Sequence, residues 1–482
     1  MAALEIWMNG EHVGVWYASR SAVPIFKYDP QWVMSFSARA LSLSLPITAG
    51  SSEHRGDVVA NYFDNLLPDS AEIRKRLAAR FNTRSTGAFD LLTAIGRDCA
   101  GAVQLLPEGM QPRGWDRIES EPVTEEQVEG ILKGVTSDAP LGLRQADRVG
   151  ESNDEDFRIS IAGAQEKTAL LRIGQAWHRP RGATPTTHIL KLPLGLVGNM
   201  RADLTESIEN EWLCAQIVRE LGLQVAVTEM AVFGNQKALV VERFDRRWRG
   251  IATGVANSAG FVAPPQAWIA RLPQEDLCQA TGTAPSRKYE SDGGPSMPNC
   301  VKVLAGSAKA NTDRRDFVLT QLAFWMLAAT DGHAKNFSIF HRRGSTFTMT
   351  PLYDVISAWP IIGEGPNRVS EHAARLAMAL HSKNTHYKLR DIRARHWMSL
   401  AQRCGVDGVW ERMIEMSQGV DAALDRVQAR LPNDFPVRVW TAVRDGMKRH
   451  AGRFSREAEA LAKGPQSSGL GYRCPDSSCS SP

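Results

Sequence analysis

Apolar and polar residues alternate from the start of the chain: Leu4, Ile6 and Met8, then Asn9-Gly10, then Val13 and Val15. A period of two on either side of an Asn-Gly pair predicts a β-hairpin. Phe26 and Tyr28 predict another strand, and Leu41-Ser42-Leu43-Ser44-Leu45 before Pro46 a third. Helical spacing then takes over across residues 58–67, 71–80 and 88–95, with Asp69 as the expected cap of the second helix. Residues 110–157 are polar, with Glu119, Glu121, Glu125 and Glu126 followed by Glu151, Asp154, Glu155 and Asp156. This stretch predicts a boundary between modules, interrupted by a helix over 125–134 with Thr124 as its cap.

Beyond the boundary, Ile159 and Ile161 alternate into a strand, and Leu170, Leu171 and Ile173 read as its return across the small turn 162–165. Residues 187–193 form an apolar strand with one charge in it, Lys191. The next segment, 206–221, places Ile208, Trp212, Leu213, Ile217, Val218 and Leu221 on one helical face. Strands over 225–232 and 238–242 are expected on either side of a Gly234-Asn235 turn. Residues 248–300 are rich in Gly, Pro, Ala and Ser, broken by an ordered-looking 272–277. Within them Tyr289 to Pro295 is read as either a solvated linker or a substrate-facing loop. The apolar run 324–329 leads into Thr330-Asp331-Gly332-His333-Ala334-Lys335-Asn336. Two short alternating segments, 337–340 and 346–349, follow with a turn at Arg342-Arg343-Gly344, and then Tyr353-Asp354. From Asp313 onward the pattern is mostly helical. Residues 435–461 carry a basic polar side (Arg444, Lys448, Arg449, His450, Arg453, Arg456) that reads as solvated or as facing DNA phosphates. Residues 464–482, rich in Ser and Pro, read as a disordered tail.

Composition narrows the class without naming it. The 482 residues allow two or three domains at ~150 residues each, and 43% hydrophobic with 23% charged residues is ordinary for a globular protein. A net charge of +4 is too small to argue for nucleic acid or membrane binding. The first residues lack the basic-then-apolar order of a signal peptide, and no apolar run reaches the ~20 residues that span a bilayer. Seven cysteines without CxxC spacing suit reduced thiols. The expectation is a cytoplasmic protein with no membrane contact.

The chemistry sits in the 324–356 stretch. An Asp followed five residues later by an Asn is the spacing of a kinase catalytic loop, where the Asp accepts the substrate hydroxyl proton and the Asn holds a metal. Asp331 and Asn336 have it, and Asp354, past the hairpin, stands where a second metal carboxylate is expected. Such hard oxygen ligands suit Mg2+. Taken alone, Asp-Gly and Lys-Asn are ordinary turn chemistry; the helix before, the hairpin after and Asp354 together favour phosphoryl transfer. Gly163 lets backbone N–H groups approach phosphate closely, but Gly163 with Lys167-Thr168 lacks the second Gly of a P-loop, and G-x-G-x-x-G is not met. A Lys in an apolar strand is costly unless paired. Lys191 is therefore read as a phosphate-binding Lys supported by Glu209 or Glu211, with Glu211 preferred; the other reading is a Lys snorkelling from an edge strand. The strand ending near Glu242 is placed to present backbone to adenine.

These motifs resemble the HipA family, the serine/threonine-kinase toxins of HipA–HipB toxin–antitoxin modules, from the N-terminal hairpin to about residue 460. The residues that carry the resemblance are 63–69, 160–168, 272–276, 289–295, 330–336 and 353–354. The resemblance implies an α+β, protein-kinase-like two-lobed fold with a mixed α/β N-terminal lobe, an extra N-terminal module and an all-helical C-terminal lobe. The expected division is 1–145, 146–264, 265–463 and the tail 464–482. It implies ATP and Mg2+ as cofactors and Asp331 as catalytic base, with Asn336 and Asp354 as metal ligands. Lys191 would hold ATP phosphates under the turn of Ala162, Gly163, Ala164, Gln165, Glu166 and Lys167. Glu242 and Phe244 would contact adenine, and Gln274 and His333 would line the site. Ser160 matches the serine that HipA proteins autophosphorylate in trans, which displaces the loop. The implied partners are a HipB-type helix-turn-helix antitoxin, operator DNA through that complex, and an aminoacyl-tRNA synthetase substrate, best known as the glutamyl enzyme, whose modification blocks translation. Two stretches depart from the family pattern: 248–270 is longer and 464–482 is extra. A kinase-like co-repressor scaffold and a small-molecule phosphotransferase are the competing readings. The intact set Lys191, Asp331, Asn336 and Asp354 argues against the first, and Ser160 in its matching context against the second.

Overall fold

The structure is a computed structural model that describes residues 2–19, 22–48, 52–135, 160, 162–163, 165–198, 201–252, 254–258 and 260–463. The acidic 151–156 stretch, the strand at Ile159 and Ile161, the 145/146 boundary, Ala164 and the tail 464–482 lie outside the described residues.

The expected hairpin opens the first of three units. Strands β1 (Ala2–Met8), β2 (Glu11–Ser19), β3 (Ala22–Tyr28), β4 (Glu53–Arg55) and β5 (Gln104–Pro107) form an antiparallel sheet in the order β4-β3-β2-β1-β5. The turn between β1 and β2 puts Asn9 and Gly10 at φ 48° and 82°, the left-handed pair that a two-residue hairpin needs. Leu4, Ile6 and Met8 all point to one face and are buried there, since alternate residues of a strand share a side. That face packs on helices α2 (Asp57–Asp64) and α4 (Ala88–Ile95), with Trp16 stacked on Phe63 at a centroid separation of 4.0 Å. Helices α1 (Pro30–Met34) and α3 (Ala71–Arg80) complete the unit.

Two expectations fail here. Residues 41–45 form a tight turn closed by a Ser42–Leu45 bridge, not a strand. The Tyr28 hydroxyl accepts from Leu41 N (2.6 Å) and donates to Leu45 O (2.5 Å), and the Ser42 and Ser44 hydroxyls donate to Gln279 O. Serine hydroxyls that bind backbone in this way compete with ladder formation. The cap of α3 is Ser70, whose hydroxyl accepts from Ile73 N, and not Asp69.

The second unit is a six-stranded sheet. Its elements are β6 (Ser120–Val123), α5 (Glu125–Val135), β7 (Lys167–Ile173), β8 (Ala176–Pro180), β9 (His188–Lys191), the hairpin β10 (Gly195–Val197) and β11 (Ala202–Leu204), α6 (Ser207–Glu220), β12 (Thr228–Phe233) and β13 (Gln236–Glu242). The sheet order is β12-β13-β9-β7-β8-β6, and β10-β11 stands apart. Thr124 caps α5 as expected, accepting from Gln127 N at 3.2 Å. Strand β9 is interior, paired with β13 on one side and β7 on the other, so Lys191 does not snorkel from an edge.

In the third unit the 248–270 stretch is held by a hairpin, β14 (Arg246–Arg249) against β15 (Trp268–Arg271). There follow β16 (Gln274–Asp276), α7 (Leu277–Ala280), α8 (Met297–Leu304), α9 (Ala310–Leu327), β17 (Ser338–His341), β18 (Phe347–Met349), β19 (Arg375–His381) and β20 (Thr385–Lys388). Helices α10 (Ala394–Cys404), α11 (Val409–Gln418), α12 (Val420–Gln428) and α13 (Val437–Ala462) close the chain around Trp325, Trp397 and Phe454. The C-terminal part is therefore not all-helical: β16-β17-β18 form one sheet and β19-β20 another. Residues Leu376 to Leu380 of β19 are all buried; a continuous apolar run carries no period that separates strand from helix. Among the described residues, no helix is long and apolar enough to cross a membrane.

Candidate active site

All three units line one cleft. Leu66, Asp69 and Ala100 come from the first, Lys167, Lys191 and Glu211 from the second, and Asp331, Asn336 and Asp354 from the third.

The catalytic-loop motif follows directly from the end of α9. Ala328 takes a left-handed backbone (φ 49°) that turns the chain out of the helix. Gly332 is needed because a Cβ there would sit 2.4 Å from the Phe324 ring. Phe337 packs on Phe317 and Phe324 and fixes the far end of the loop. Inside the loop the Asn336 side-chain amide donates to Asp331 O at 2.8 Å, so the two motif residues are tied together. The Asp331 side chain is 58% exposed at the cleft mouth.

Deeper in, Lys191 Nζ donates to Glu211 Oε1 at 2.6 Å and to Asp354 Oδ1 at 2.7 Å. Burial works against the charge on Lys191, but Asp354 and Glu211 outweigh it and hold its pKa above the ordinary value. Burial would likewise raise Asp354; Lys191 and then Lys167 instead keep it well below the carboxylate range. Glu211 is raised, because burial, helped by Asp354, outweighs Lys191 and the more weakly acting Lys167. Asp354 itself stands at φ 60°, a backbone that a non-glycine residue adopts only when its surroundings impose it.

The segment expected above the phosphates lies against the first unit. Gly163, at φ 117°, forms a parallel bridge with Pro68, and its carbonyl accepts from Asp69 N at 3.1 Å. Ala162 O accepts from Lys167 Nζ at 2.9 Å, and burial followed by Lys191 lowers the Lys167 pKa to about 8. The Gln165 amide donates to Leu192 O (2.5 Å), and Glu166 pairs with Arg76 of α3. Ser160 is fully buried, its Oγ donating to Leu66 O at 2.8 Å and its N to Asp98 O at 3.1 Å. Glu242 and Phe244 line the cleft, the Phe244 ring lying 5.7 Å from that of Tyr353. Gln274 donates to Ser338 Oγ, and its own buried Oε1 has no partner among the described residues. His333 is also buried, with Nδ1 unpartnered among the described residues, and burial lowers its pKa. Of the residues expected at the site, Lys191, Glu211, Asp354, Asp331, Asn336, Lys167, Gly163, Ala162, Gln165, Glu242, Phe244, Gln274 and His333 meet in this cleft. Glu166 and Ser160 are turned into contacts with the first unit instead.

Four residues that the sequence reading did not assign to the site also gather here. Asp69 accepts from Lys335 (2.5 Å) and Lys288 (2.8 Å), and the Tyr289 hydroxyl donates to Asp331 Oδ1. Asp69, Tyr289 and Lys335 lie inside quoted motifs and Lys288 just before one, but nothing local marks a pair 266 positions apart.

A divalent cation fits the oxygen donors. The Asn336 amide nitrogen is spent on Asp331 O, which leaves its oxygen for ligation, and the Asp354 carboxylate lines the same cleft. Among the described residues no group of three or more His, Cys, Asp or Glu could hold a metal. Mg2+ needs none, since it takes one or two carboxylates and completes its shell with phosphate and water.

Known proteins are similar to this chain along most of its length. The HipA-like C-terminal domain matches residues 159–433 and the HipA N-terminal domain residues 4–106. The putative kinase Y4mE of Sinorhizobium fredii is 31% identical over 411 residues, covering 84% of this chain and 86% of that protein. The serine/threonine-protein kinase toxin HipA of Shewanella oneidensis is 27% identical over 342 residues, covering 68% and 69%. A solved structure of Shewanella oneidensis HipA with HipB and its operator DNA superposes with a TM-score of 0.73 at 22% identity, over 95% of this chain and 99% of that one, so the two share a fold. The chain belongs to the HipA family.

Proposed function

We propose that this chain is an ATP- and Mg2+-dependent serine/threonine protein kinase, the toxin of a HipA–HipB-type module. The observation that carries the reading is the convergence of Lys191, Glu211 and Asp354 in the same cleft as Asp331 and Asn336. The six-stranded sheet and α6 act as the N-terminal lobe of a kinase-like fold, the mainly helical third unit as the C-terminal lobe, and residues 1–145 as an added module.

Asp331 accepts the proton of the acceptor hydroxyl. The hydroxyl oxygen bonds to the γ-phosphorus as the bond from phosphorus to the β–γ bridging oxygen breaks, and ADP leaves. Lys191 exchanges Asp354 for the α- and β-phosphates, while Glu211 keeps its ammonium in place. Asn336 and the released Asp354 would hold Mg2+, whose charge offsets that of the phosphates. The backbone at Ala162 and Gly163 covers the phosphates, and Glu242 and Phe244 present backbone to adenine. Nearly all of the rate then comes from positioning and charge neutralisation.

Ser160 is the autophosphorylation site. Its hydroxyl sits against Leu66 O, so it must leave this burial to react. A phosphate of roughly −2 charge cannot return to a site lined by the Leu66 and Asp98 backbone carbonyls, and the loop stays out. The protein substrate is an aminoacyl-tRNA synthetase, by resemblance the glutamyl enzyme. The partners are a HipB-type antitoxin and, through it, operator DNA, in the cytoplasm.

The test is incubation of purified, unmodified protein with labelled ATP and Mg2+, then mapping of the phosphate by mass spectrometry. Phosphate is expected on Ser160 and absent from the Asp331→Asn variant, which still binds the antitoxin. The solved assembly of a HipA with HipB and operator DNA supports one second reading, a co-repressor without kinase activity. Protein that binds ATP but acquires no phosphate would favour it.

A further inference from the structure

The loop at 284–296 reaches the mouth of the cleft and is pinned on both sides of one residue, Tyr289. On one side the Lys288 ammonium donates to Asp69 Oδ2 at 2.8 Å. On the other, the Glu290 carboxylate accepts from Ala379 N (2.7 Å) and bonds His381 Nε2 (2.6 Å) on β19. The Tyr289 carbonyl accepts from Asp292 N and Gly294 N, and a Cβ at Gly294 would meet Arg287 O at 2.1 Å, so the loop closes tightly on itself. Held in this way, Tyr289 lays its ring edge-on to His333 (centroids 5.0 Å apart) and donates its hydroxyl to Asp331 Oδ1. His333 Nε2 also lies near that carboxylate, at 3.8 Å, too far for a hydrogen bond.

A phenol O–H donating to this carboxylate makes the same bond as the serine or threonine hydroxyl from which Asp331 is to take a proton. We propose that Tyr289 is a gate on the acceptor site: it caps Asp331 in the free protein, and the acceptor hydroxyl must displace it to react. The inference rests on the kinase reading and adds to it a residue that sets the affinity for the acceptor. Because Lys288 and Glu290 are both tethered, displacement is a side-chain rotation and the loop need not open. Capping draws on the binding of the acceptor and leaves the transfer step alone: the apparent dissociation constant is the intrinsic one divided by the uncapped fraction. The geometry of the filled site, with Tyr289 already moved aside, is the same with or without the hydroxyl.

The experiment uses full-length wild type and Tyr289→Phe as enzymes, with the Asp331→Asn chain, which carries Ser160 but no base, as the acceptor. Tyr289→Phe keeps the ring against His333 and loses only the hydroxyl. A hydrogen bond to a charged group is strong enough that the KM for the acceptor chain should fall about tenfold, with kcat and the KM for ATP unchanged. An unchanged acceptor KM, or a lowered kcat, overturns the gate; the latter would make Tyr289 a support for Asp331. No transfer by the wild type overturns the kinase reading and the gate with it, and is told apart by that blank. Thermal unfolding checks that the variant folds, and Tyr289→Leu, which also lacks the hydroxyl, must move the acceptor KM the same way.

Discussion

Lys191 is the residue on which the cleft turns, because it sits between two carboxylates of different standing. Glu211 is buried on the interior face of α6 with a side chain 4% exposed, whereas Asp354 opens to the cleft at 29%. An ammonium released by one partner must keep the other, or a buried charge is stranded. Glu211 is therefore the permanent partner and Asp354 the exchangeable one. Glu211→Gln should leave Lys191 drawn fully to Asp354 and closed to nucleotide. The expected result is ATP binding weakened roughly tenfold, about 1.4 kcal/mol, by calorimetry. Because Asp354 still pairs the lysine, the loss of folding stability should stay below the 3–5 kcal/mol or so of a stranded buried charge. A thermal unfolding midpoint that collapses while ATP affinity holds would reverse the two roles. Of this geometry, the sequence made the ends legible: a charge inside an apolar strand demands a partner, and α6 offered only Glu209 and Glu211 on the near turn. Glu209 turns instead to Lys237, a choice that depends on how α6 rolls against β12 and β13 and is not written in its periodicity.

At the scale of elements, the connection between α2 and α3 does more than join two helices. Ser70 caps α3, which frees Asp69 to point at the 330–336 loop and hold Lys335 and Lys288. Burial would raise the Asp69 pKa, but Lys335 and then Lys288 bring it down to about 2 from 3.8. A depressed carboxylate contributes stability that is fully present above the unfolded value and is lost as pH falls through the folded one. The difference is worth about 2 kcal/mol. Asp69→Asn should thus cost about 2 kcal/mol or more in urea unfolding at pH 7, and the gap to wild type should narrow as pH drops from 5 toward 2. A gap that is constant across that window would remove Asp69 from the electrostatic account. Elements with a clean period were legible in advance, among them β1-β2, α3, α4 and α6. The 41–45 turn was not, because its alternation of Leu and Ser imitates a strand while Tyr28 and Gln279 take up its hydrogen bonds from elsewhere in the chain.

Across the whole molecule, the first unit is bolted to the other two by charges that no local pattern announces. Asp98, just after α4, accepts from Arg246 (2.9 Å), Arg271 (3.2 Å) and Arg243 (3.3 Å), and from the Thr186 hydroxyl (2.7 Å). Arg243 and Arg246 share Asp245 and both donate to Cys99 O. Three buried guanidinium groups face two carboxylates, and burial, despite Asp98, lowers Arg271 to about 10. The balance has no spare anion. Removing one partner of such a set strands the rest, at about 3–5 kcal/mol. Asp98→Ala should therefore lower stability by that amount, and it should also loosen the cleft, because Arg243 lies between the two residues, Glu242 and Phe244, whose backbone is read as facing adenine. The measurement is chemical unfolding followed at once by tryptophan fluorescence, which samples all three units, and by ATP binding. If the cluster makes the units cooperative, wild type unfolds in one step, and the variant unfolds earlier and binds ATP less tightly even where it remains folded. Two separate steps in the wild type, or an Asp98→Ala protein with undiminished ATP affinity, would mean that the first unit only leans on the cleft and does not hold it in shape.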